Sequence, residues 1–319
     1  MKILITGGAG FIGSHLADKL LDEGHKVLVI DNYQTGRRDN LTPHKNLEIV
    51  EGTITDKNLV DKLFNDFGPE QVVHAAASYK DPENWIEDAM TNTIGTINVV
   101  RASRKTNIKR LVYFQTSLCY GIKPLEQPIT LKHPLFSGES PGGSSYAISK
   151  TAGEQYIELS GLDFISFRLA NAYGPRNLSG PPPTFYQRLT ENKPCFVMDT
   201  RRDFIYIDDV IELVIKSLKG MGSRGYYHIS SGSDYSIKEL FDATVKALGL
   251  KLDKEVEVRP RGIDDAPSIL LDPTKTQKDF NWQAATPLEI GIKKAMEWYK
   301  THDISQTFTH LKIHEKKNR

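Results

Sequence analysis

The chain has 319 residues, enough for two domains or one large one with a sizeable buried core. Its 41 Lys and Arg balance 40 Asp and Glu, for a formal net charge of +1, so nothing in it demands a nucleic acid or an anionic membrane as partner. No run approaches the ~20 apolar residues of a membrane span. The N-terminus enters a strand with no signal-peptide pattern, and the two cysteines, Cys119 and Cys195, lie in apolar strand-like segments and read as small core residues. A reducing, cytoplasmic setting is therefore expected, with no metal site.

Ile3-Leu4-Ile5 runs into Thr6-Gly7-Gly8-Ala9-Gly10-Phe11-Ile12-Gly13. A helical pattern follows, with Ile12, Leu16, Leu20 and Leu21 near one face and Gly24 at its end. Glycines on a strand-to-helix turn let a phosphate approach the backbone, and the helix N-terminus offers amides and a positive dipole end. Val27-Leu28-Val29-Ile30 ends in Asp31, about 18 residues past Gly13 and near the ~20 expected for an acid that holds a ribose 2′-hydroxyl. A carboxylate there repels a 2′-phosphate, so NAD is expected rather than NADP. The polar loop 32–38, with Asn32, Thr35 and Gly36, either reaches the adenosine side of the dinucleotide or is a solvated turn. After a strand at 47–50 comes Gly52-Thr53-Ile54-Thr55-Asp56, with Asp56 a helix N-cap.

Strand 71–74 opens into Ala75, Ala76 and Ala77, whose small side chains let a flat cofactor lie against the backbone. His74 reads as a packed core histidine in preference to a catalyst. A long helical stretch, 82–106, holds Asn92. Strand 110–116 ends in Thr116-Ser117. Strands alternating with helices predict an α/β fold, a Rossmann doubly wound parallel sheet that binds ligands outside its carboxyl ends.

A Pro- and Gly-rich loop, 121–143, could wall a pocket. It leads to Tyr146 and Lys150, neighbours at i and i+4 on a helix. A free tyrosine titrates near ~10. An ammonium one turn away, together with the positive nicotinamide, is expected to lower that value. The phenolate then takes a proton from a sugar hydroxyl, Thr116 shares it, and hydride leaves the same carbon for the nicotinamide. Beyond strand 164–168 the composition shifts. A smaller α/β substrate domain, 171–305, is expected to cover a cofactor domain of residues 1–170 joined by part of 204–230. Residues 306–319 read as a charged C-terminal tail, whose last stretch, 310–319, is expected to fray.

With Gly7-x-x-Gly10-x-x-Gly13, Tyr146-x-x-x-Lys150, Asn171-x-Tyr-Gly-Pro and Arg202-Asp-Phe-Ile-Tyr-Ile-Asp-Asp, the chain resembles the extended short-chain dehydrogenase/reductase superfamily over roughly residues 1–302. Within it, the chain is similar to nucleotide-sugar epimerases of the UDP-glucose 4-epimerase type, and to those of bacterial surface-polysaccharide pathways, including the Bordetella O-antigen epimerases. The loop Gly180-Pro-Pro-Pro-Thr-Phe-Tyr, Cys195-Phe196 and Asp264-Asp265-Ala-Pro-Ser carry that narrower likeness. The resemblance implies Thr116, Tyr146 and Lys150 as catalytic residues, with Lys150 also on the nicotinamide ribose. It implies Asp31 and Asn32 on the adenosine ribose and Ile54 beside the adenine. Ala75, Ala76, Ala77, Tyr79 and Asn92 would line the cofactor, and Asn171, Phe196 and Arg202 the substrate. A further phosphate-binding arginine falls at Arg259 or Arg261, with Arg261 preferred. Thr53 stands where the family usually has an Asp that meets the adenine. Ser117 and Leu118 stand where related dehydratases and uronate decarboxylases carry acids.

These implications together point to C4 inversion of a UDP-linked hexose, N-acetylhexosamine or hexuronate by a homodimer that keeps NAD through the cycle. Its helices near 84–106 and 145–159 would pair. Chemistry at another carbon, with Lys80 or Arg176 meeting a carboxylate, and a non-catalytic NAD sensor are the alternatives.

Overall fold

The computed structural model describes residues 1–139, 143–262 and 265–308. Asp264 and most of the charged C-terminal stretch lie outside them. In chain order the elements are β1 (Lys2–Thr6), α1 (Phe11–Asp22), β2 (Lys26–Asp31), β3 (Leu47–Glu51), α2 (Lys57–Phe67) and β4 (Gln71–His74). Next come α3 (Trp85–Asp88), a π-helix (Ala89–Gly95), α4 (Thr96–Lys105) and β5 (Arg110–Thr116). The second half holds α5 (Ser145–Leu159), β6 (Phe164–Leu169), β7 (Asn171–Tyr173), α6 (Pro181–Thr190), β8 (Phe196–Met198), β9 (Arg201–Tyr206) and α7 (Ile207–Leu218). It closes with β10 (Gly225–Ile229), β11 (Asp234–Ser236), α8 (Ile237–Leu248), β12 (Glu257–Arg259), β13 (Ser268–Ile269), α9 (Thr274–Phe280) and α10 (Leu288–Tyr299).

Seven parallel strands form one sheet in the order β10-β6-β5-β4-β1-β2-β3. This is the doubly wound order expected, with the strand order reversing between β1 and β4. Side chains alternate between two cores. Ile3, Ile5, Val27, Val29, Val73 and Val112 face one, with Leu16 and Leu20 of α1 and Val210 and Val214 of α7. Leu4, Leu28, Val72 and Leu111 face the other, with Phe64 of α2, Val99 of α4 and Ile157 of α5. Burial on both faces is why these strands read as continuous apolar runs. Each such side chain contributes about 1.5–3 kcal/mol. Beside this sheet, β9 pairs with β7, β11 and β13, and β8 pairs with β12.

Local signals place the elements. Asp56 caps α2 by accepting from the amides of Asn58 and Leu59. Gly24 follows α1 at φ 80°. The stretch read as one helix from 82 to 106 starts at Trp85, and its middle is π-helical. Cys119 lies in a 3-10 turn, Ser117–Tyr120, that Thr116 caps, and so is buried without belonging to a strand.

The π-helix has a tertiary cause. Asn92 donates to the Ser78 carbonyl (2.9 Å) and to Ser149 Oγ (3.0 Å), and its Oδ1 accepts from the Ser78 amide (2.9 Å). On α5, Gly153 packs so closely that a Cβ would stand 2.6 Å from the Asn92 carbonyl oxygen. A second anchor lies further along α5. Glu154 meets the Arg168 guanidinium at 2.9 Å and accepts from Ser166 Oγ at 2.5 Å, all three side chains being buried. Arg168 also donates to the Tyr120 hydroxyl, 2.9 Å away. Glu154→Leu would leave that guanidinium buried and uncompensated. We expect a loss of about 3–5 kcal/mol in urea unfolding, and Arg168→Met added to it should recover part of the loss.

Candidate functional site

One cavity of about 600 Å³ opens at the carboxyl ends of β1, β2, β4 and β5 and is closed on the far side by residues of β7, α6, β8 and β9. The glycine turn forms its floor. The Gly10 amide donates to the Gly7 carbonyl at 3.1 Å, and Gly7 has φ 67°. A Cβ on Gly7 would lie 2.7 Å from Ala76 Cα, and one on Gly13 would lie 2.3 Å from the Gly7 oxygen. No side chain caps α1, and its first turn holds no acid, which leaves the first amides for an anion. Asp31, buried at the end of β2, braces the turn. Its Oδ2 accepts from the Ala9 amide (2.9 Å) and its Oδ1 from the Tyr33 amide (2.8 Å). Burial raises its carboxyl above the usual range, against those two amides and that of Gly10. Each oxygen retains a lone pair for a ribose hydroxyl.

His74 is a structural residue. Its Nδ1 lies 2.6 Å from Thr6 Oγ1 and its Nε2 2.8 Å from Thr96 Oγ1. Burial, and then the charge of Lys150, pull it down to about 3.

Thr116 ends β5. Its Oγ1 accepts from the Leu118 amide at 3.1 Å, which leaves its O–H to donate toward the cavity it lines. Ser144 caps α5 through the Ala147 amide at 3.0 Å, so Tyr146 falls in the first turn and Lys150 one turn on. Both line the cavity. Lys150 is 2% exposed, with its ammonium 3.9 Å from the centroid of the Tyr113 ring. The Tyr113 hydroxyl donates to the Lys150 carbonyl at 2.9 Å, so one side chain fixes both ends of this residue. Burial pulls the Lys150 ammonium down to about 7, opposed by Glu154.

The phenol departs from the expectation. Burial, followed by Tyr79 and Asp88, raises Tyr146 above its ordinary value. Desolvation is the largest cause, and lowering the phenol needs positive charge beside it, which a bound nicotinamide would bring.

Gly7, Gly10, Phe11, Ile12, Gly13, Asp31, Asn32, Thr35, Thr53, Ile54, the three alanines, Tyr79, Asn171, Phe196 and Arg202 all line the cavity. Three expected residues do not. Asn92 is turned to Ser78 and Ser149. Gly36 packs under Asp31, where a Cβ would stand 2.8 Å from Oδ1. Arg261 is exposed and donates to the Asp265 carbonyl at 3.1 Å. Arg259 stacks on the Phe196 ring, 3.8 Å from its centroid. Thr53 Oγ1 is engaged with Thr55 Oγ1 at 2.9 Å. Arg202 is ordered in advance by an ion pair with Asp265 and by the carbonyls of Arg201 (2.6 Å) and Ala266 (2.8 Å).

Arg176, Arg188 and Phe308 line the cavity as well. Arg176, at φ 66°, pairs with Asp18 on α1 at 2.7 Å. It is the arginine named above as able to meet a carboxylate, and the one it meets is on its own chain. Arg188 and Phe308 carry no signal in the sequence. A backbone floor that one Cβ would block, uncapped helix amides and a buried ammonium on the same cavity together fit a flat dinucleotide diphosphate.

The buried ammonium yields a stability test. The folded value of about 7 lies below the unfolded value near ~10.4. The folded state therefore carries the full cost below pH 7 and sheds it as the pH rises from 7 toward 10. Lys150→Met should raise the thermal midpoint of the NAD-free protein at pH 6 and do so less at pH 9. A gain that does not change with pH would contradict the placement.

The profile described as the NAD dependent epimerase/dehydratase family matches residues 3–229. The fold is shared with the Bordetella bronchiseptica enzyme WbmH in complex with NAD+, at 52% identity and TM-score 0.90 over 94% of this chain and 99% of that one. It is shared also with WbmG of the same organism, in complex with NAD and UDP, at 44% identity and TM-score 0.89 over 97% and 98%. The UDP-glucose 4-epimerase of Mycolicibacterium smegmatis is 31% identical over 94% of this chain and 99% of its own length. The chain belongs to the NAD dependent epimerase/dehydratase family, whose cofactor is NAD.

Proposed function

We propose that the protein inverts C4 of a UDP-linked hexose, N-acetylhexosamine or hexuronate for surface-polysaccharide assembly. One observation carries this reading. Thr116, Tyr146 and Lys150 share a cavity with the glycine turn, and Ser117 and Leu118 follow Thr116 where elimination or decarboxylation would call for an acid. Leu118 lines the cavity and is 41% exposed. The likeness to proteins that are named UDP-glucose 4-epimerase or that hold UDP supports the nucleotide.

NAD, held on the turn of Gly7, Gly10 and Gly13 and by Asp31, would supply the hydride acceptor and donor for C4. Tyr146 takes the C4 hydroxyl proton and gives it back. Thr116 donates a hydrogen bond to the same sugar oxygen. Lys150 holds the ionised phenol by charge, at a value that keeps it partly protonated near neutrality. Asn171 and the pre-ordered Arg202 hold the diphosphate. Binding energy far from C4 then lets a loosely held sugar turn over without release. Two free cysteines, one of them buried, accord with a cytoplasmic setting.

Trp85, Ile86, Tyr156 and Leu159 are exposed, at 67%, 79%, 43% and 80%. They lie on the α3 and α5 helices expected to pair, and a second copy of the chain is the proposed cover. Leu159→Glu should shift the protein toward monomer in sedimentation velocity.

Tyr146→Phe should lower turnover by about 10²–10⁴-fold and leave the bound NAD content unchanged. Near wild-type turnover would refute the assigned base. A panel of UDP-hexoses, UDP-N-acetylhexosamines and UDP-hexuronates, incubated in D₂O and read by NMR, tests the reaction. C4 inversion should occur with no deuterium on carbon. Deuterium at a ring carbon, or loss of a carboxylate, would redirect the assignment to another position or to decarboxylation.

A further inference from the structure

After α10 the chain turns back to the cavity and is tied to both of its walls. On the wall built by the loop after β2, Arg37 donates to the Asp303 carbonyl at 2.6 Å and stands 3.9 Å from its carboxylate. On the opposite wall, the Phe308 amide donates to the Leu178 carbonyl (3.0 Å), and the Phe308 carbonyl accepts from the Gly180 amide (3.2 Å). These two bonds make a one-residue parallel bridge to Ser179. Between the anchors, Ile304 is buried.

Phe308 thereby enters an aromatic series. Its ring lies 5.5 Å from Tyr79, and Tyr79 lies 6.0 Å from the Tyr146 ring, both pairs tilted by about 50°. The Lys80 ammonium stands 5.8 Å from the Phe308 centroid. The Tyr79 hydroxyl shares a hydrogen bond with the Thr35 side chain, across the cavity from the substrate wall. Thr35, Tyr79, Tyr146 and Phe308 all line the one cavity.

We propose that Phe308, held at the cavity by residues 303–308 and seated on Tyr79, is a cofactor-retaining residue that slows dissociation of the dinucleotide. The proposal rests on the NAD reading above. A cycle without net redox leaves the cofactor reduced at its midpoint, and a dinucleotide that departed there would strand the sugar as a ketone. A cover stitched to both walls opposes that loss without touching the reacting carbon.

The test uses the full chain without any sugar. Protein loaded with NAD is diluted into excess NADH, and the rise in NADH fluorescence on binding reports NAD release. Phe308→Ala should release NAD at least about tenfold faster than wild type. Phe308→Tyr, which keeps the ring, should restore the slow rate. Thermal unfolding of the NAD-free variants checks that the fold is kept. An unchanged release rate in Phe308→Ala overturns the proposal. If that variant is destabilised, Arg37→Ala decides, since it unties Asp303 and removes no side chain that lines the cavity. Faster release supports the cover and the wild-type rate sinks it. Absence of C4 inversion alongside faster release would defeat the sugar reading alone, whereas a wild-type protein that takes up no NAD would overturn both.

Discussion

The most demanding feature of the molecule is an ammonium kept out of water. Lys150 is almost wholly buried, with an aromatic face as its nearest partner and a carboxylate one helical turn away. Such a group is stable only if the helix that carries it cannot move, and much of the surrounding structure secures that helix. Asn92 and Thr93 grip Ser149, the latter at 3.1 Å through its carbonyl, while Tyr113 holds the Lys150 carbonyl and Arg168 holds Glu154. The π-helix belongs to the same arrangement. The additional residue in its turn brings the Asn92 side chain between the loop after β4 and α5, so that loop and the helix that carries Lys150 share one fastening.

Burial moves two neighbouring groups of the cavity in opposite directions. The phenol of Tyr146 is raised and the amine of Lys150 lowered, both by desolvation. Positive charge brought beside the phenol would act against that desolvation. Arg202 shows the complementary strategy. Its charge is balanced by Asp265 and three of its donor contacts are internal, so the protein alone holds the guanidinium in place.

Much of this was legible from local pattern. The glycine turn, Asp31 at the end of β2, Asp56 as a cap and the Tyr146–Lys150 spacing are each governed by residues close in sequence, and each lies where the pattern put it. The misplacements share a different character. Asn92 was expected at the cofactor from the resemblance and Gly36 from its loop, yet their places depend on more distant partners, Ser149 for one and the Asp31 carboxylate for the other. The π-helix has no local signature, because it is imposed by the close approach of α5 at Gly153. Cys119 left the strand pattern because Thr116 caps a turn two residues early. Phe308 was read as part of a charged tail, since nothing adjacent to it in sequence records that Ser179 and Tyr79 receive it.

The chain of contacts through His74 has an implication for proton inventory. Thr96 Oγ1 donates to the Asn92 carbonyl at 2.7 Å and so must receive the imidazole N–H, while Thr6 Oγ1 accepts the Ala76 amide and so gives its hydrogen to the other ring nitrogen. The tautomer is thereby dictated, and the ring has neither a spare hydrogen nor a spare lone pair. The side chain that ordinarily trades protons near neutrality is, at this position, locked out of exchange, and its work is to tie the end of β1 to the start of α4.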